Sequence, residues 1–250
     1  MIALLFGTYN SSHAANVLLA GDLERAGIEL RRCHEPLWEE TRDKHDSYFA
    51  PLALLRLGLR WLRAAWRLRR CARRNAPEVD VLVAGFNGQL DVLLARWTGR
   101  RKPILFAPLV SITETLVDDR GTYAPGSLPA RLLALLDRVC LRAADRVLID
   151  TAAHRLYLTE RLGAAPERVV VQYLGAEDAF APVEPQASPP GAPLRVLFYC
   201  SYVALHGARV VAEAACSLGA AEGVELTMVG TGPERAACEE WLRGATHVRV

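Results

Sequence analysis

Short apolar runs alternate with amphipathic helical stretches from residue 2 almost to the last residue, and this alternation confines the chain to a parallel α/β architecture. The runs lie at 2–6, 28–33, 79–84, 103–107, 146–150 and 169–174. Several are apolar on both faces, as strands covered by helices on each side must be. Helical periodicity fills the gaps at about 13–26, 52–74, 89–98, 128–144 and 151–162. In the fourth of these, Leu132, Leu136, Val139 and Ala143 predict one apolar stripe. The expected product is a doubly wound sheet.

The pattern breaks once. Between 175 and 193 stand Pro182, Pro185, Pro189, Pro190 and Pro193, a linker or crossover with little that can pack. The alternation then restarts: strand 194–200, helix 208–221, strand 224–229, helix 233–242, and a strand opening at His247. The expected domains are 1–180 and 194–250, with 181–193 between them. The 57 residues of the second part make roughly half of a doubly wound domain.

Composition narrows the class. Thirty basic against 28 acidic residues give a net charge of +2, so no whole-protein field argues for nucleic acid. The six cysteines form no Cys-x-x-Cys pair and no zinc spacing. Most sit in apolar runs and read as buried thiols in a reducing compartment. The start lacks a basic segment and a signal-length apolar stretch, and no window approaches the roughly 20 apolar residues of a membrane span. These features predict a cytoplasmic chain.

Specific strings carry more. Gly7-Thr8-Tyr9-Asn10-Ser11-Ser12-His13 follows the first strand; Pro36-Leu37-Trp38-Glu39 and Gly85-Phe86-Asn87-Gly88-Gln89-Leu90-Asp91 come later. Thr115-Leu116-Val117-Asp118-Asp119-Arg120 and Asp150-Thr151-Ala152-Ala153-His154 lie further on. The last are Gly175-Ala176-Glu177-Asp178-Ala179-Phe180-Ala181-Pro182, Leu205-His206-Gly207 and Val229-Gly230-Thr231-Gly232-Pro233-Glu234. In this order the set resembles a family-four, retaining glycosyltransferase of the GT-B type over essentially the whole chain. The resemblance implies two Rossmann-like domains, the second incomplete here. It also implies sugar transfer from a nucleotide donor to an acceptor such as a cell-envelope polysaccharide or a lipid-linked glycan. The first domain would hold the acceptor and the second the nucleotide sugar. The reaction would run in the cleft, with retention, without a metal and with no cofactor beyond the nucleotide-sugar substrate. The sequence has no Asp-x-Asp and no His/Cys cluster. Helix N-termini, backbone N–H groups and cations must then stabilise the leaving diphosphate.

Each candidate has two readings. Residues 7–13 form a strand-to-helix loop at the sheet's C-terminal edge, where Gly7, Asn10 and His13 can meet a ligand; Ser11 or Ser12 can equally be a plain cap. Residues 111–127 form a polar insert with Ser111, Glu114, Asp118 and Asp119, either an acidic lid over acceptor hydroxyls or a solvated loop. Asp150 and Thr151 either cap the next helix or, with His154, bind acceptor; Asp118, Asp150 and His154 are the catalytic candidates. Glu177 belongs with the cleft loops. Gly230, Gly232 and Pro233 permit backbone contact with a nucleotide, although Arg235 breaks the dinucleotide signature Gly-x-Gly-x-x-Gly, which argues against a dehydrogenase or epimerase.

Two departures concern the donor. Ser201 stands at the resemblance's phosphate-binding Arg position, and His206, before Gly207, at its Lys position, with one neutral donor in place of a charge. The family's pair of donor-site glutamates would lie beyond Val250. A non-catalytic remnant of such an enzyme is therefore the rival reading.

From Ser47 to Pro77 there is no acidic residue, while Arg56, Arg60, Arg63, Arg67, Arg70 and Arg74 step by three or four along one helical face. Trp61, Trp66 and leucines fill much of the rest. Such a helix suits the anionic inner face of a membrane, as a peripheral contact that reaches a lipid-linked acceptor. The alternative is an ordinary solvated face; RNA binding has no other support.

Overall fold

A computed structural model describes residues 1–37, 51–99, 101–176, 180–184, 188–218 and 223–250, with only the backbone of 51–55. Its internal contacts divide the chain into Met1–Ala181 and Pro182–Val250.

The first unit is a six-stranded parallel sheet in the order β2-β1-β3-β4-β5-β6. Its strands are β1 (Ile2–Gly7), β2 (Glu29–His34), β3 (Val81–Ala84), β4 (Ile104–Leu109), β5 (Arg146–Ile149) and β6 (Val169–Val171). Helices α1 (Ala14–Arg25), α2 (Pro51–Asn75), α3 (Gln89–Thr98), α4 (Leu128–Ala143) and α5 (Ala152–Leu156) make the crossovers. The first connection runs outward from β1 to β2 and every later one runs the other way. Right-handed crossovers therefore put α1 on one face and α2, α3 and α4 on the other. The cores agree: Leu4, Phe6, Leu82 and Ile104 pack with residues of α2 and α3, while Ala3, Leu5 and Val83 pack with Leu19 and Leu23 of α1. The direction of winding reverses between β1 and β3, so the crevice beyond their C-terminal ends is the position where a doubly wound sheet takes ligands.

The second unit is a three-stranded parallel sheet, β7-β8-β9, of β7 (Leu194–Cys200), β8 (Val224–Gly230) and β9 (Val248–Arg249). Helices α6 (Ala208–Leu218) and α7 (Arg235–Trp241) bury one face through Ala208, Ala212, Met228 and Cys238. On the other face Leu197 and Tyr199 are exposed.

Several expectations need correction. Cys33 of β2 and Cys71 of α2 form a disulfide, Cα atoms 5.9 Å apart, and Cys216 is exposed; only Cys140 and Cys238 are free, buried thiols. The inference of a reducing compartment from buried thiols thus loses its premise. Packing α2 across the edge strand β2 brings the two positions together, which spacing alone does not reveal. The predicted stripe on α4 faces the core only in part: Leu136 and Ala143 pack against it. Leu132 and Val139 point to solvent, and the buried side is Ala130, Asp137, Cys140 and Leu141. Residues 111–127 begin not as a loop but as a wide helical turn, Glu114–Asp119, anchored by buried Ser111 and Thr113. The helix predicted at 151–162 is regular only to Leu156 and then widens over Tyr157–Arg161.

Candidate functional site

The loops after β1 and β3 are stitched together by two buried polar side chains. Asp91, in the first turn of α3, accepts from Thr8 N at 2.8 Å and from Thr8 Oγ1 at 3.1 Å. Asn16 of α1 accepts from Phe86 N at 2.9 Å and donates to the Asn10 carbonyl at 2.8 Å. Gly7 has φ +139°, and a Cβ there would overlap the Asp91 carboxyl, so glycine is required on both counts. Asn10 takes the Ser12 N–H on Oδ1, and His13 caps α1, its Nδ1 accepting from Ala15 N at 3.3 Å while its ring leans on Phe86. The cap is therefore His13, not Ser11 or Ser12. Burial pushes the Asp91 carboxyl up to about 7 against the pull of its bonds to Thr8.

A second group lies at the C-terminal ends of β4 and β5. Asp150 directly follows β5 and Thr151 caps α5, its Oγ1 accepting from His154 N at 3.1 Å. One turn on, His154 Nδ1 stands 2.5 Å from Asp150 Oδ1, and its Nε2 stands 3.4 Å from Glu114 Oε1. The side chains of His154, Asp150 and Glu114 are only 25%, 19% and 15% exposed. A carboxylate can only accept, so the imidazole carries its proton on Nδ1. Glu114 is raised by burial first and by the Asp119 and Asp118 charges, with His154 opposing. Its Oε2 is buried and has no hydrogen-bond partner, a deficit a substrate hydroxyl can relieve. The neighbouring Tyr157 hydroxyl donates to Asp118 Oδ2 at 2.6 Å.

The turn carrying Glu114 is held from beneath. Asp137 of α4 accepts from Thr113 Oγ1 at 2.6 Å, Thr113 N at 2.8 Å and Ile112 N at 3.3 Å, while Ser111 Oγ takes Glu114 N at 3.0 Å. Asp118, Asp150 and His154 are thus brought to one cluster, with Ser111 as a support. Sequence reasoning missed Tyr157, Asp137, Asn16 and the anchoring role of Asp91. The available signal was a lone polar residue on an otherwise apolar helix face, as at Asp91 and Asp137.

In the second unit an open depression of about 670 Å³ is lined by Phe198, Tyr199, Cys200, Ser201, His206, Val229 and Gly230. Ser201 N donates to His206 Nδ1 at 3.1 Å, which leaves Nε2–H as the ring's free donor. Gly207 is left-handed at φ +68°. A Cβ at Gly230 would overlap the Cys200 carbonyl oxygen, and one at Gly232 that of Ser201. The two loops therefore approach as closely as backbones can. Pro233 lies in the turn before α7, which starts two residues later than expected, at Arg235. Arg235 bonds the Gly230 carbonyl at 2.7 Å and adds a cation that the sequence reading treated only as a break in a motif.

On α2, Arg56, Arg60, Arg63, Arg67, Arg70 and Arg74 are all exposed, and Trp66 lies beside them with Arg70 over its ring at 4.7 Å. Trp61 does not share that face. It is half-buried against the core around Leu68, because seven residues bring a helix back to the same side. Glu177 lies outside the described residues.

Similarity to known proteins fits this geometry. A glycosyl transferase 4-like domain matches residues 10–175. No curated protein is similar enough in sequence to match the chain. Among solved structures, the lipopolysaccharide outer core galactosyltransferase WaaB in its apo form aligns with 99% of the chain at TM-score 0.62 and 14% identity. HepE of Anabaena in complex with UDP and glucose aligns with 100% at TM-score 0.59 and 14% identity, and the glycosyltransferase SnogD of Streptomyces nogalater with 100% at 0.51 and 18%. The chain spans 66%, 68% and 70% of the lengths of these three. The shared architecture is that of GT-B glycosyltransferases, and the chain belongs to the glycosyl transferase 4-like family.

Proposed function

We propose that the protein transfers a sugar from a nucleotide-sugar donor to a polysaccharide- or lipid-linked acceptor, with retention and without a metal ion. The observation that carries the reading is the chain Glu114–His154–Asp150 at the C-terminal edge of a family-matched sheet. Asp150 orients the ring and fixes its tautomer; Glu114 holds an acceptor hydroxyl, and His154 Nε2 takes its proton as the new glycosidic bond forms and the donor's bond from anomeric carbon to diphosphate breaks, releasing the nucleoside diphosphate. Tyr157 keeps Asp118 aimed beside them. The donor diphosphate sits at the loops of Ser201, His206 and Gly230, with Gly207, Gly232 and Pro233 flanking, where backbone N–H groups, the His206 ring and Arg235 replace a cation. A nucleotide donor is supported by HepE, a structural relative solved with UDP and glucose. Among the described residues no group of three or more His, Cys, Asp or Glu is arranged to hold an ion.

No described helix is long and apolar enough to cross a membrane. The arginine face of α2 gives the enzyme a peripheral hold on the anionic inner leaflet, where a lipid-linked acceptor would be met.

The test is release of nucleoside diphosphate from UDP-, GDP- and ADP-glucose, with a membrane lipid extract as acceptor, by wild type and His154→Ala. One donor is turned over, and the variant loses about a hundredfold in rate with unchanged stability. No turnover of any donor overturns the reading and favours a non-catalytic remnant, and full activity in the variant overturns the role given to His154 and its partners.

A further inference from the structure

The outward faces of α2, α3 and α4 carry no carboxylate. These helices contain only two acidic residues, Asp91 and Asp137, and both point inward, 1% and 3% exposed. The same helices hold eight, one and three arginines respectively. Exposed apolar side chains lie among them. On α4, Leu128, Leu132, Leu135 and Val139 follow one another at four, three and four residues and are 71%, 57%, 52% and 40% exposed. That spacing makes one row, directly opposite the buried Asp137 and Cys140. On α2, Leu59, Leu62 and Trp66 are at least half exposed, and on α3 so is Trp97.

Side-chain contacts fix how the rows lie. Arg69 of α2 places its guanidinium over Trp97 at 4.1 Å, so that flank of α2 faces α3. Arg67, on the opposite flank, pairs with Glu35 at 3.1 Å beyond β2. On α4, Arg138 donates to the Arg161 carbonyl at 3.3 Å, so its flank faces away from α3; Arg131 and Arg142, seven residues before and four after, share that flank. The leucine row of α4 and the Leu59, Leu62 and Trp66 row of α2 therefore both lean toward α3 and Trp97. The result is an apolar centre spread over three helices between two arginine margins.

We infer that this three-helix face, and not α2 alone, is a docking surface for an anionic lipid bilayer. A second copy of the chain fits poorly, because a two-fold contact would oppose arginine margins with no carboxylate to receive them. A bilayer with anionic headgroups meets both parts at once: leucine and tryptophan enter the acyl boundary, and the guanidinium margins pair with phosphates. Eight residues separate α4 from the turn that carries Glu114 and Asp118, and α4 holds that turn through the bonds of Asp137 to Thr113. Seating α4 on the membrane thus brings the acceptor cluster to the lipid surface. The inference rests on the membrane contact proposed for α2 but adds α3 and α4 to it.

The experiment is co-sedimentation with vesicles of phosphatidylcholine, alone or with about one-third phosphatidylglycerol. Wild type binds the anionic vesicles, binding weakens with salt, and neutral vesicles bind far less. The Leu132→Glu/Leu135→Glu variant weakens binding by at least about tenfold, while its circular dichroism and its diphosphate release from free sugar nucleotide stay unchanged. Arg131→Glu/Arg142→Glu does the same and lowers the salt dependence. If the α4 variants bind like wild type while Arg63→Glu/Arg67→Glu does not, the three-helix face is wrong and α2 acts alone. If wild type ignores anionic vesicles, or forms a dimer that Leu132→Glu disperses, the bilayer assignment falls, whatever the donor turnover shows.

Discussion

Replacing Asp91 by asparagine removes a carboxyl that the fold holds 1% exposed beneath the loop after β1, bonded only to Thr8 among its charge-stabilising partners. Burial raises that carboxyl from 3.8 to about 7. Three pH units at about 1.4 kcal/mol each correspond to roughly 4 kcal/mol. The sign follows from which state holds the proton more tightly. Here the folded state does, so its stability is undiminished below about pH 4, falls as pH rises from 4 toward 7, and stays low above that. Asparagine keeps a carbonyl for the Thr8 N–H and hydroxyl but cannot ionise. Urea unfolding of wild type and Asp91→Asn, followed by circular dichroism between pH 4 and 8, gives a difference curve in which all other titrations cancel. The variant gains about 4 kcal/mol on wild type across that range. A difference that stays flat within about 1 kcal/mol means Asp91 does not titrate in this window and refutes the reasoning.

Gly7→Ala forces a methyl against the Asp91 carboxyl at φ +139°, and thermal unfolding should show a loss of roughly 2–4 kcal/mol. Asp137→Ala strands the Thr113 N–H, the Thr113 hydroxyl and the Ile112 N–H; it costs about 3–5 kcal/mol and, by releasing the Glu114 turn, lowers acceptor use more than donor binding in steady-state kinetics. Reducing the Cys33–Cys71 bridge, which closes a 38-residue separation, lowers the urea-derived stability by about 4 kcal/mol, and Cys71→Ser makes the protein indifferent to reductant.

Strand and helix positions were legible because burying a strand between helix layers demands local apolar runs, and residues 2–6 and 146–150 are such runs. Facing was less legible. Periodicity shows that Leu132 and Val139 share a side of α4, but not that this side is buried. The core instead takes Asp137 and Cys140, since Asp137 must reach the Thr113 backbone, a contact no local pattern announces. The Cys33–Cys71 bridge and the Asn16–Phe86 stitch are likewise products of packing between elements far apart in sequence. Asp150 and His154 were readable together, as a carboxylate at a strand end and a residue one turn into the helix that follows. Their third member, Glu114, comes from another strand's connection and emerges only once β4 and β5 lie side by side.

The most direct measurement is calorimetric titration of UDP, GDP and ADP into wild-type protein and into His206→Ala. The account predicts that one nucleoside diphosphate binds and that the variant binds it about tenfold more weakly, having lost the ring donor beside Ser201 and Gly230. Binding of none of the three, or equal binding by the variant, contradicts a donor site at these loops.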